Sequence, residues 1–437
     1  MWAQVPEILL GGMPMQGATE KGQVIWEAVL ENCCGLDVHK DTVTACLLVG
    51  ALNEQPKELL RTFATTTKVL LELRDWLEAN GCTHVAIEST GVYWRPVFHI
   101  LEDAVTVLLV NPYHMKQIPG RKTDLKDAQW IARLLRWGLL KPSLIPPKPI
   151  RELRDLCRYR KKLTEQESAE KNRIQKVLED ANIKLASVAS DVFGVSGRAM
   201  LEALLQGKMT PQETANLAQK KMRSKIPQLA EALEGYVSEH HRFLIRMHFD
   251  HLKYLEQTIA QLQLRIDDKI KPYRHQLELI CTTPGIDIIS AQHIFVEIGG
   301  DIKLFPSEGH LASWVGICPG NNESAGKRMS GHVTKGNRWL KALLVQAAHA
   351  ASHTKGAYLK AFYHRVAARR GKKRAVVAVA HKQTRIIYHE LWDDKPYQEL
   401  GENFFDLLNQ KSLQNRLVRR LQGLGYHVEL QPETVPA

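Results

Sequence analysis

The order of strands and helices near the start of the chain is the feature that most constrains its fold. Cys33–Val38 and Thr42–Val49 are β-type runs separated by three polar residues, which predicts a hairpin. Further along, short apolar runs alternate with stretches in which apolar residues recur every three or four positions. These segments are a strand at Leu59–Ala64, a helix at Thr66–Asn80, a strand at His84–Ile87, a helix at Val92–Glu102, a strand at Val105–Val110 and a helix at Thr123–Trp137. The order βββαβαβα predicts a mixed central sheet with helices on its faces.

Composition narrows the classes of function. The 437 residues carry 59 Lys and Arg against 47 Asp and Glu, a formal net charge of +12, which favours a polyanionic partner such as nucleic acid. A membrane protein is not expected, because runs such as Val105–Val110 and Ala375–Ala380 are far shorter than the roughly 20 residues that span a bilayer. Seven cysteines without a CxxC motif give neither a disulfide framework nor a zinc signature. The N-terminal segment lacks a secretory signal, so a cytoplasmic protein is expected.

The rest of the chain is predicted to be mainly helical. The proline-rich segment Pro142–Pro149 is predicted to be a linker. Arg151–Lys184 and Ser238–Lys271 are long helical stretches on either side of a segment broken by Gly and Pro, which predicts an antiparallel coiled-coil arm with an inserted bundle. Thr283–Ile286 is similar to a helix-hairpin-helix turn that binds a nucleic-acid backbone. The predicted domains are an uncertain leader at 1–31, an α/β domain at 32–141, a linker and helical region at 142–275, a mainly helical domain at 276–395 and a tail at 396–437.

Four carboxylates occupy positions that would converge in this fold. The element order matches the ribonuclease H-like fold, in which the first strand is central and the fourth lies beside it. Asp37 and Glu88 end those two strands, and Asp124 and Asp127 share one face of the following helix. Clustered carboxylates bind Mg²⁺, and two such ions about 3.5–4 Å apart clamp the attacking and leaving oxygens of a phosphodiester. Alternatively, each acid is an ordinary strand-end cap or a solvated ion-pair partner of Arg121, Lys122 or Lys126.

A serine lies in a basic, glycine-containing loop. Ser324 has small neighbours, which let a phosphate approach closely, and nearby cations that can hold a phosphate. These cations are Lys327, Arg328, Lys335 and Arg338. Asn337 is predicted to cap the next helix, whose N-terminus adds backbone N–H donors. A serine placed in this way can attack phosphorus and store the broken strand as a phosphoserine ester. Chemistry alone does not select Ser324 over Ser330, and the simpler alternative is a turn residue or a contact to the DNA backbone.

Further basic residues predict nucleic-acid contacts. Arg121 and Lys122, beside Asp124, are expected to steady a scissile phosphate. The helix that starts at Arg151 carries a second basic group, for which a solvated helix surface is the alternative; its members include Arg154, Arg158 and Lys161. The strongest group, because no acid lies near it in sequence, comprises Arg369, Arg370, Lys372, Lys373 and Arg374. His39 and His114 are candidate proton carriers, although solvated loop histidines are more common.

Five fragments of the sequence together resemble the DEDD transposases of the insertion-sequence one-ten family, which are relatives of the Piv invertase. The fragments are GLDVHKD, HVAIESTGVYW, VNPYHMKQIPGRKTDLKDAQWIARLL, TTPGIDIISAQHI and WVGICPGNNESAGKRMSGHVTKGNRWLKALLVQAA. The resemblance runs from about Gly35 to about Trp392. The insertion between the two long helices is similar to the IS-eleven-eleven branch of that family.

This resemblance implies a site and a set of partners. It implies a domain similar to the RuvC Holliday-junction resolvase and, for each site, two Mg²⁺ ions bound by Asp37, Glu88, Asp124 and Asp127. It implies that Ser324 is the nucleophile and that dimers pair into tetramers, in which the acids and the serine of one composite site come from different protomers. It also implies a structured bridge RNA that base-pairs with donor and target DNA, so that base pairing selects the sequence.

The sequence therefore predicts an RNA-guided DNA transposase of the bacterial cytoplasm, associated with the nucleoid. Two alternatives stay open. The first is a metal-dependent Holliday-junction-type nuclease, in which hydrolysis needs no serine. The second is an inactive nucleic-acid-binding relic, against which the intact set of acids argues.

Overall fold

The computed structural model divides into two compact units, residues 1–145 and residues 146–437. The described residues are 18–20, 23–25, 27–89, 91–115, 118, 127–320, 322–324 and 326–431. For 18–20, 23–25, 113, 322–324 and 328–330 only the backbone is described.

The first unit is an α/β unit built on a five-stranded sheet. Its strands are β1 (Ala18–Glu20), β2 (Gln23–Ile25), β3 (Cys33–Val38), β4 (Thr42–Val49), β5 (Lys57–Ala64), β6 (His84–Glu88) and β7 (Thr106–Val110). Its described helices are α1 (Thr67–Ala79), α2 (Trp94–Leu101), α3 (Pro112–Met115) and α4 (Asp127–Arg136). Strands β1 and β2 form a separate antiparallel hairpin.

The main sheet has the order β5-β4-β3-β6-β7. Strands β3, β4 and β5 are antiparallel neighbours, whereas β3, β6 and β7 run parallel. The predicted mixed sheet is therefore confirmed. The cause is the length of the connections, because three residues between β3 and β4 permit only a hairpin, while α1 and α2 return the chain to the start of the next parallel strand.

Alternating side chains of the sheet pack into two apolar layers. One layer holds Leu36 of β3 and Ile87 of β6 against α1 and α2. The other holds Cys33 of β3 and Ala86 of β6 against α4. Successive side chains in a strand point to opposite faces of the sheet. Every second residue of β3, counted from Cys33, and every second residue of β6, counted from Ala86, therefore faces α4.

The second unit is almost entirely helical. Its helices are α5 (Lys148–Asp180), α6 (Leu185–Val188), α7 (Val195–Gln206), α8 (Pro211–Ala215), α9 (Ile226–Ala232), α10 (Glu239–Ile270), α11 (Arg274–Thr282), α12 (Ile288–Ile298), α13 (Glu308–Val315), α14 (Arg338–Ala351), α15 (Tyr358–Arg370), α16 (Lys372–Trp392), α17 (Phe404–Leu408) and α18 (Gln410–Gly423). Three 3₁₀ segments lie at Lys220–Lys225, Lys271–Tyr273 and Ile302–Leu304. One short hairpin is formed by β8 (Asn322–Ser324) and β9 (Lys327–Ser330).

The two long helices α5 and α10 pack antiparallel along their length. Near one end Lys269 donates a hydrogen bond of 2.7 Å to Glu152, and near the other His241 Nε2 lies 2.9 Å from Asp180 Oδ2. The shorter helices α6 to α9 pack on the second of these ends, around a core that contains Phe249. The two predicted long helices and the inserted bundle are thus present, and their supercoiling into a coiled-coil arm stays a prediction.

No helix in the described part of the chain has the length and apolar character needed to cross a membrane.

Candidate active site

Asp37 and Glu88 lie at the carboxyl ends of two neighbouring parallel strands, as the last but one residue of β3 and the last residue of β6. Leu36 of β3 lies opposite Ile87 of β6, and one further step in this register places Asp37 beside Glu88. Leu36 and Ile87 face α1 and α2. Because side chains alternate along a strand, the next residues, Asp37 and Glu88, face the opposite side of the sheet, which α4 covers. The sheet therefore brings two of the four predicted acids to one edge and one face.

The backbone of helix α4 contacts the backbone of β3 at Gly35, two residues before Asp37. A Cβ atom on Gly35 would lie 2.3 Å from the backbone nitrogen of Ala132 and 2.4 Å from the carbonyl oxygen of Ala128, so only glycine permits this approach. Asp127 is the first described residue of α4. Glu88 and Asp127 both line a cavity of about 380 Å³, so a third predicted acid reaches the same end of the sheet.

The fourth acid, Asp124, lies outside the described residues, as do Arg121 and Lys122. Among the residues that are described, no three His, Cys, Asp or Glu side chains form a group that could hold a metal ion. The donor chemistry nevertheless fits Mg²⁺, because Asp37, Glu88 and Asp127 offer hard carboxylate oxygens.

His39 contacts the first of these acids. Its Nε2 atom lies 3.2 Å from Asp37 Oδ2, and the side chains are 68% and 25% exposed, respectively. A partly exposed carboxylate beside an exposed imidazole is accessible to a ligand from solvent. His114, the other predicted proton carrier, lies in the short helix α3 and is exposed. Proton transfer by either histidine stays a prediction.

Ser324 lies at the tip of the hairpin β8–β9. Its backbone pairs with Lys327 across a two-residue turn, whereas Ser330 pairs with Asn322 at the opposite end of the hairpin. Gly326, in the turn, has φ of +75°, and a Cβ atom there would meet no described atom within 4 Å. The backbone thus separates the two candidate serines, with Ser324 at the protruding end.

The base of this hairpin is held by close backbone contacts. Pro319 and Val333 form an isolated antiparallel bridge. Further down, a Cβ atom on Gly336 would lie 2.4 Å from the backbone nitrogen of Gly316, so the two chain segments touch where both residues are glycine. The segments 316–319 and 333–336 therefore lie in close contact at the base of the hairpin, and we call them the hairpin neck.

Asn337 follows this neck and begins α14. Its Oδ1 accepts hydrogen bonds from the backbone N–H groups of Trp339 and Leu340, at 3.0 and 3.1 Å. The predicted N-cap is confirmed. Of the cations predicted around the serine, Lys327, Lys335 and Arg338 are exposed, and the side chain of Arg328 is not among those described.

The basic group at Arg369–Arg374 lies where α15 ends and α16 begins, and this group is exposed throughout. Within the described chain none of its five cations forms an ion pair; they are Arg369, Arg370, Lys372, Lys373 and Arg374. Three of them lie in the first turn of α16, where the helix dipole disfavours positive charge. A surface with this much uncompensated charge is suited to a polyanion.

The basic group on α5 is arranged differently. Arg158 donates two hydrogen bonds, of 2.6 and 2.8 Å, to the fully buried carboxylate of Glu297. Arg154 donates to the carbonyl oxygens of Val296 and Glu297, and burial lowers the pKa of Arg154 to about 10. Their donors are thus engaged inside the unit, while Lys161 is half-buried. Nucleic-acid binding by these three residues stays a prediction.

The turn Thr283–Ile286 packs inside its unit. A Cβ atom on Gly285 would lie 2.4 Å from the carbonyl oxygen of Ala347 in α14, and Gln383 of α16 donates to the carbonyl oxygen of Pro284. These contacts make the turn a packing element between α11 and α12. Binding of a nucleic-acid backbone by this turn stays a prediction.

Glu390 of α16 supports this turn and was missed by the sequence analysis. Its Oε1 accepts hydrogen bonds from the hydroxyls of Thr282 and Thr283, at 2.8 and 2.9 Å, while its Oε2 is buried without a partner among the described residues. Burial raises the pKa of Glu390 to about 7, against the lowering effect of these hydrogen bonds. The only signal in the sequence is that Glu390 is the first acid after a long basic stretch.

The raised pKa of Glu390 predicts a pH dependence of stability that Glu390→Gln removes. A group whose folded-state pKa lies above its unfolded value binds protons more tightly in the folded state, so its stabilisation is complete below about pH 4.5 and is lost as the pH rises through about 7. Relative to the wild type, Glu390→Gln should therefore gain up to about 3 kcal/mol in free energy of unfolding between pH 5 and pH 8. Denaturant unfolding at several pH values measures this difference. The prediction would be contradicted if the free energy of unfolding changed with pH in the same way in both proteins.

Two family models match the chain and together cover more than half of it. Residues 34–183 match the DEDD transposase model of IS110 type, described as a transposase. Residues 277–364 match the transposase IS116/IS110/IS902 family. The first match contains Asp37, Glu88 and Asp127, and the second contains Ser324 and Asn337.

Curated relatives agree with these matches. The pilin gene-inverting protein of Moraxella bovis is 24% identical over 379 residues, covering 84% of this chain and 97% of the relative. The protein of the same name from Moraxella lacunata matches to the same extent, at 24% over 379 residues. The transposase for insertion sequence element IS1111A of Coxiella burnetii is 21% identical over 331 residues, covering 73% of this chain and 79% of the relative. The chain therefore belongs to the IS110 (insertion-sequence one-ten) family of transposases.

Proposed function

We propose that the chain is an RNA-guided DNA transposase that cuts and rejoins strands through a phosphoserine intermediate. A DNA recombinase or transposase activity follows from its family. The finer proposal rests above all on one observation, the strand register that sets Asp37 beside Glu88 on the sheet face covered by α4, which begins at Asp127. This arrangement supports a RuvC-like, Mg²⁺-dependent site.

Asp37, Glu88 and Asp127, with Asp124 as the fourth acid, are the residues that would hold the metal ions. When bound, Mg²⁺ would supply Lewis-acid polarisation of the scissile phosphate and neutralise developing charge. The chain contributes rigid placement, because two of the acids end central strands of the sheet and the third begins a helix fixed by the Gly35 contact.

Ser324 is the proposed nucleophile. Its Oγ would form a bond to phosphorus while the bond from phosphorus to one sugar oxygen breaks. The serine proton is lost and the leaving oxygen gains a proton, so that a free hydroxyl results and no water is consumed. Attack of a hydroxyl from another strand on the phosphoserine ester would reverse the chemistry and join new partners. The position of Ser324 at the protruding end of its hairpin supports this role over Ser330.

Nucleic acid accounts for the charge of the protein. The exposed group at Arg369–Arg374, without carboxylate partners in the described chain, is the surface proposed to bind a phosphate backbone. The exposed Lys327, Lys335 and Arg338 would hold the phosphate near Ser324. A structured bridge RNA would select donor and target DNA by base pairing.

We also propose an oligomer, which the resemblance to the IS110 family implies; the acids belong to the first unit of the chain and Ser324 belongs to the second. Dimers that pair into tetramers would let one protomer supply the acids and another the serine of a composite site. The antiparallel helices α5 and α10 would then serve as a coiled-coil arm. A chromosomal substrate would place the protein at the bacterial nucleoid.

Trapping and mapping a covalent adduct tests this function. The protein is mixed with Mg²⁺, donor DNA and RNA transcribed from the ends of the element, quenched in detergent, and digested for mass spectrometry. The expected result is a nucleotide attached to Ser324 only when both Mg²⁺ and RNA are present. Cleavage without an adduct would replace this proposal by the metal-dependent junction nuclease, and an adduct formed equally well without RNA would remove RNA guidance.

A further inference from the structure

Glu297, near the end of α12, is a buried carboxylate at the junction of three elements. Its side chain is fully buried, and its partners come from the long helix α5 and from the residue that caps α14. We propose that Glu297 is a positioning residue that fixes the serine hairpin to α5. The proposal rests on the proposed function of Ser324.

The link to α5 is a two-point ion pair. Arg158 Nε and its terminal nitrogen donate to the two oxygens of Glu297 at 2.6 and 2.8 Å, in the side-by-side geometry that fixes both groups in direction and distance. Burial alone would raise the pKa of Glu297, but contacts with His293, the Arg158 guanidinium and the Asn337 amide outweigh it and lower the pKa to about 2. Glu297 is therefore ionised near neutral pH, as its ion pair with Arg158 requires.

The link to the hairpin is the side chain of Asn337. Its Nδ2 donates to Glu297 Oε2 at 2.8 Å, while its Oδ1 caps the first turn of α14. One amide thus bridges a carboxylate and a helix N-terminus, and only one orientation of that amide satisfies both. Since Glu297 is held by Arg158, the start of α14 is held in the same position.

Asn337 in turn determines the position of the hairpin neck. Its backbone N–H donates to the carbonyl oxygen of Trp314 at 3.1 Å, and the preceding residue, Gly336, is in backbone contact with Gly316. The hairpin that carries Ser324 leaves from this neck. A displacement of about 1 Å at a reacting group can cost on the order of 10²-fold in rate, so the position of Asn337 matters for the chemistry even though it lies away from the hairpin tip.

A second contact joins the same two helices. The indole of Trp339, in the first turn of α14, has the guanidinium carbon of Arg158 at 5.4 Å and the ammonium of Lys162 at 5.4 Å from its ring centroid. Both cations are on α5. Because this contact and the Glu297 bridge meet at Arg158, α5 and the start of α14 behave as one rigid junction.

Asn337→Ser separates positioning from folding. Serine is a strong N-cap, so α14 keeps its cap, and the Arg158–Glu297 pair is untouched. The shorter side chain cannot reach Glu297, and the bridge is lost. We expect the single-turnover rate of adduct formation at saturating DNA to fall on the order of 10²-fold, with DNA affinity and melting temperature close to the wild type. Thr210→Ser, which exchanges one cap for another at α8, is the matched control and should react at the wild-type rate.

Asn337→Asp tests the same contact through charge repulsion. Asn337→Asp keeps a capping oxygen but places a second carboxylate against Glu297, so adduct formation should fall further than in Asn337→Ser.

The outcomes are distinct. If the wild type forms an adduct on Ser324 and either Asn337→Ser or Asn337→Asp forms it equally fast, the positioning role is overturned. If the wild type itself forms no adduct on Ser324, the proposed function fails before these variants are compared. Loss of thermal stability in Asn337→Ser, with a rate at saturating DNA equal to the wild type, would make Glu297 an ordinary structural ion pair and would also overturn the proposal.

Discussion

We expect the Ser324→Ala variant to form no covalent adduct with DNA and to recombine roughly 10⁴-fold or more slowly than the wild type. The physical reason is that alanine lacks the Oγ atom that would bond to phosphorus. The groups that position this atom cannot react in its place. Binding should persist, because the exposed cations at Arg369–Arg374 and beside the hairpin are unchanged. Gel analysis of denatured reactions measures the adduct, and junction formation measures the strand exchange.

Ser330→Ala is the matched control for this prediction. Ser330 lies in the same hairpin but pairs with Asn322 at the end opposite the turn, so its loss should change the rate by less than about tenfold. If Ser330→Ala abolished the adduct and Ser324→Ala did not, the nucleophile would be reassigned within the hairpin. If both variants cleaved DNA at the wild-type rate, hydrolysis at the carboxylate site would be the better account.

The fold of the first unit was largely predictable because its signals are local. Three polar residues between Cys33–Val38 and Thr42–Val49 force a hairpin, and both strands have the predicted bounds. The parallel strands β6 and β7 follow helices long enough to return the chain. The placement of Asp37 beside Glu88 follows from the same local signals once the strand order is known, since both acids lie at the carboxyl ends of adjacent strands.

The internal role of the arginines on α5 was not predictable in the same way. A helical stretch rich in Arg has the same appearance whether its cations face solvent or a buried acid, and the partner of Arg158 lies 139 residues away. The available signal was Glu297 itself, the only acid in the mainly apolar helix α12, since a charge in that setting needs a partner. Four residues before it, His293 is also buried, which marks the same face of α12.

The second large effect is expected from Asp37→Asn, which should lower Mg²⁺-dependent cleavage by at least about 10³-fold. A metal bound at the proposed site would supply several kcal/mol of transition-state stabilisation, and each 1.4 kcal/mol is a factor of ten in rate. The amide keeps the shape of the carboxylate but removes its charge, so the protein should fold normally while needing a higher Mg²⁺ concentration. Because a negative charge next to the phosphate is lost, DNA binding without metal should be equal to or tighter than that of the wild type.

Asp41→Asn tests whether this effect belongs to the site or to charge in general. Asp41 lies in the turn after β3, four residues from Asp37, and is exposed, so its loss changes the net charge equally without touching the strand end. Its Mg²⁺ dependence and cleavage rate should match the wild type. The assignment of Asp37 as a metal ligand would be contradicted if Asp37→Asn kept the wild-type rate at every Mg²⁺ concentration. If both variants lost activity alike, the loss would follow from the change in net charge and not from the position of Asp37 at the end of its strand.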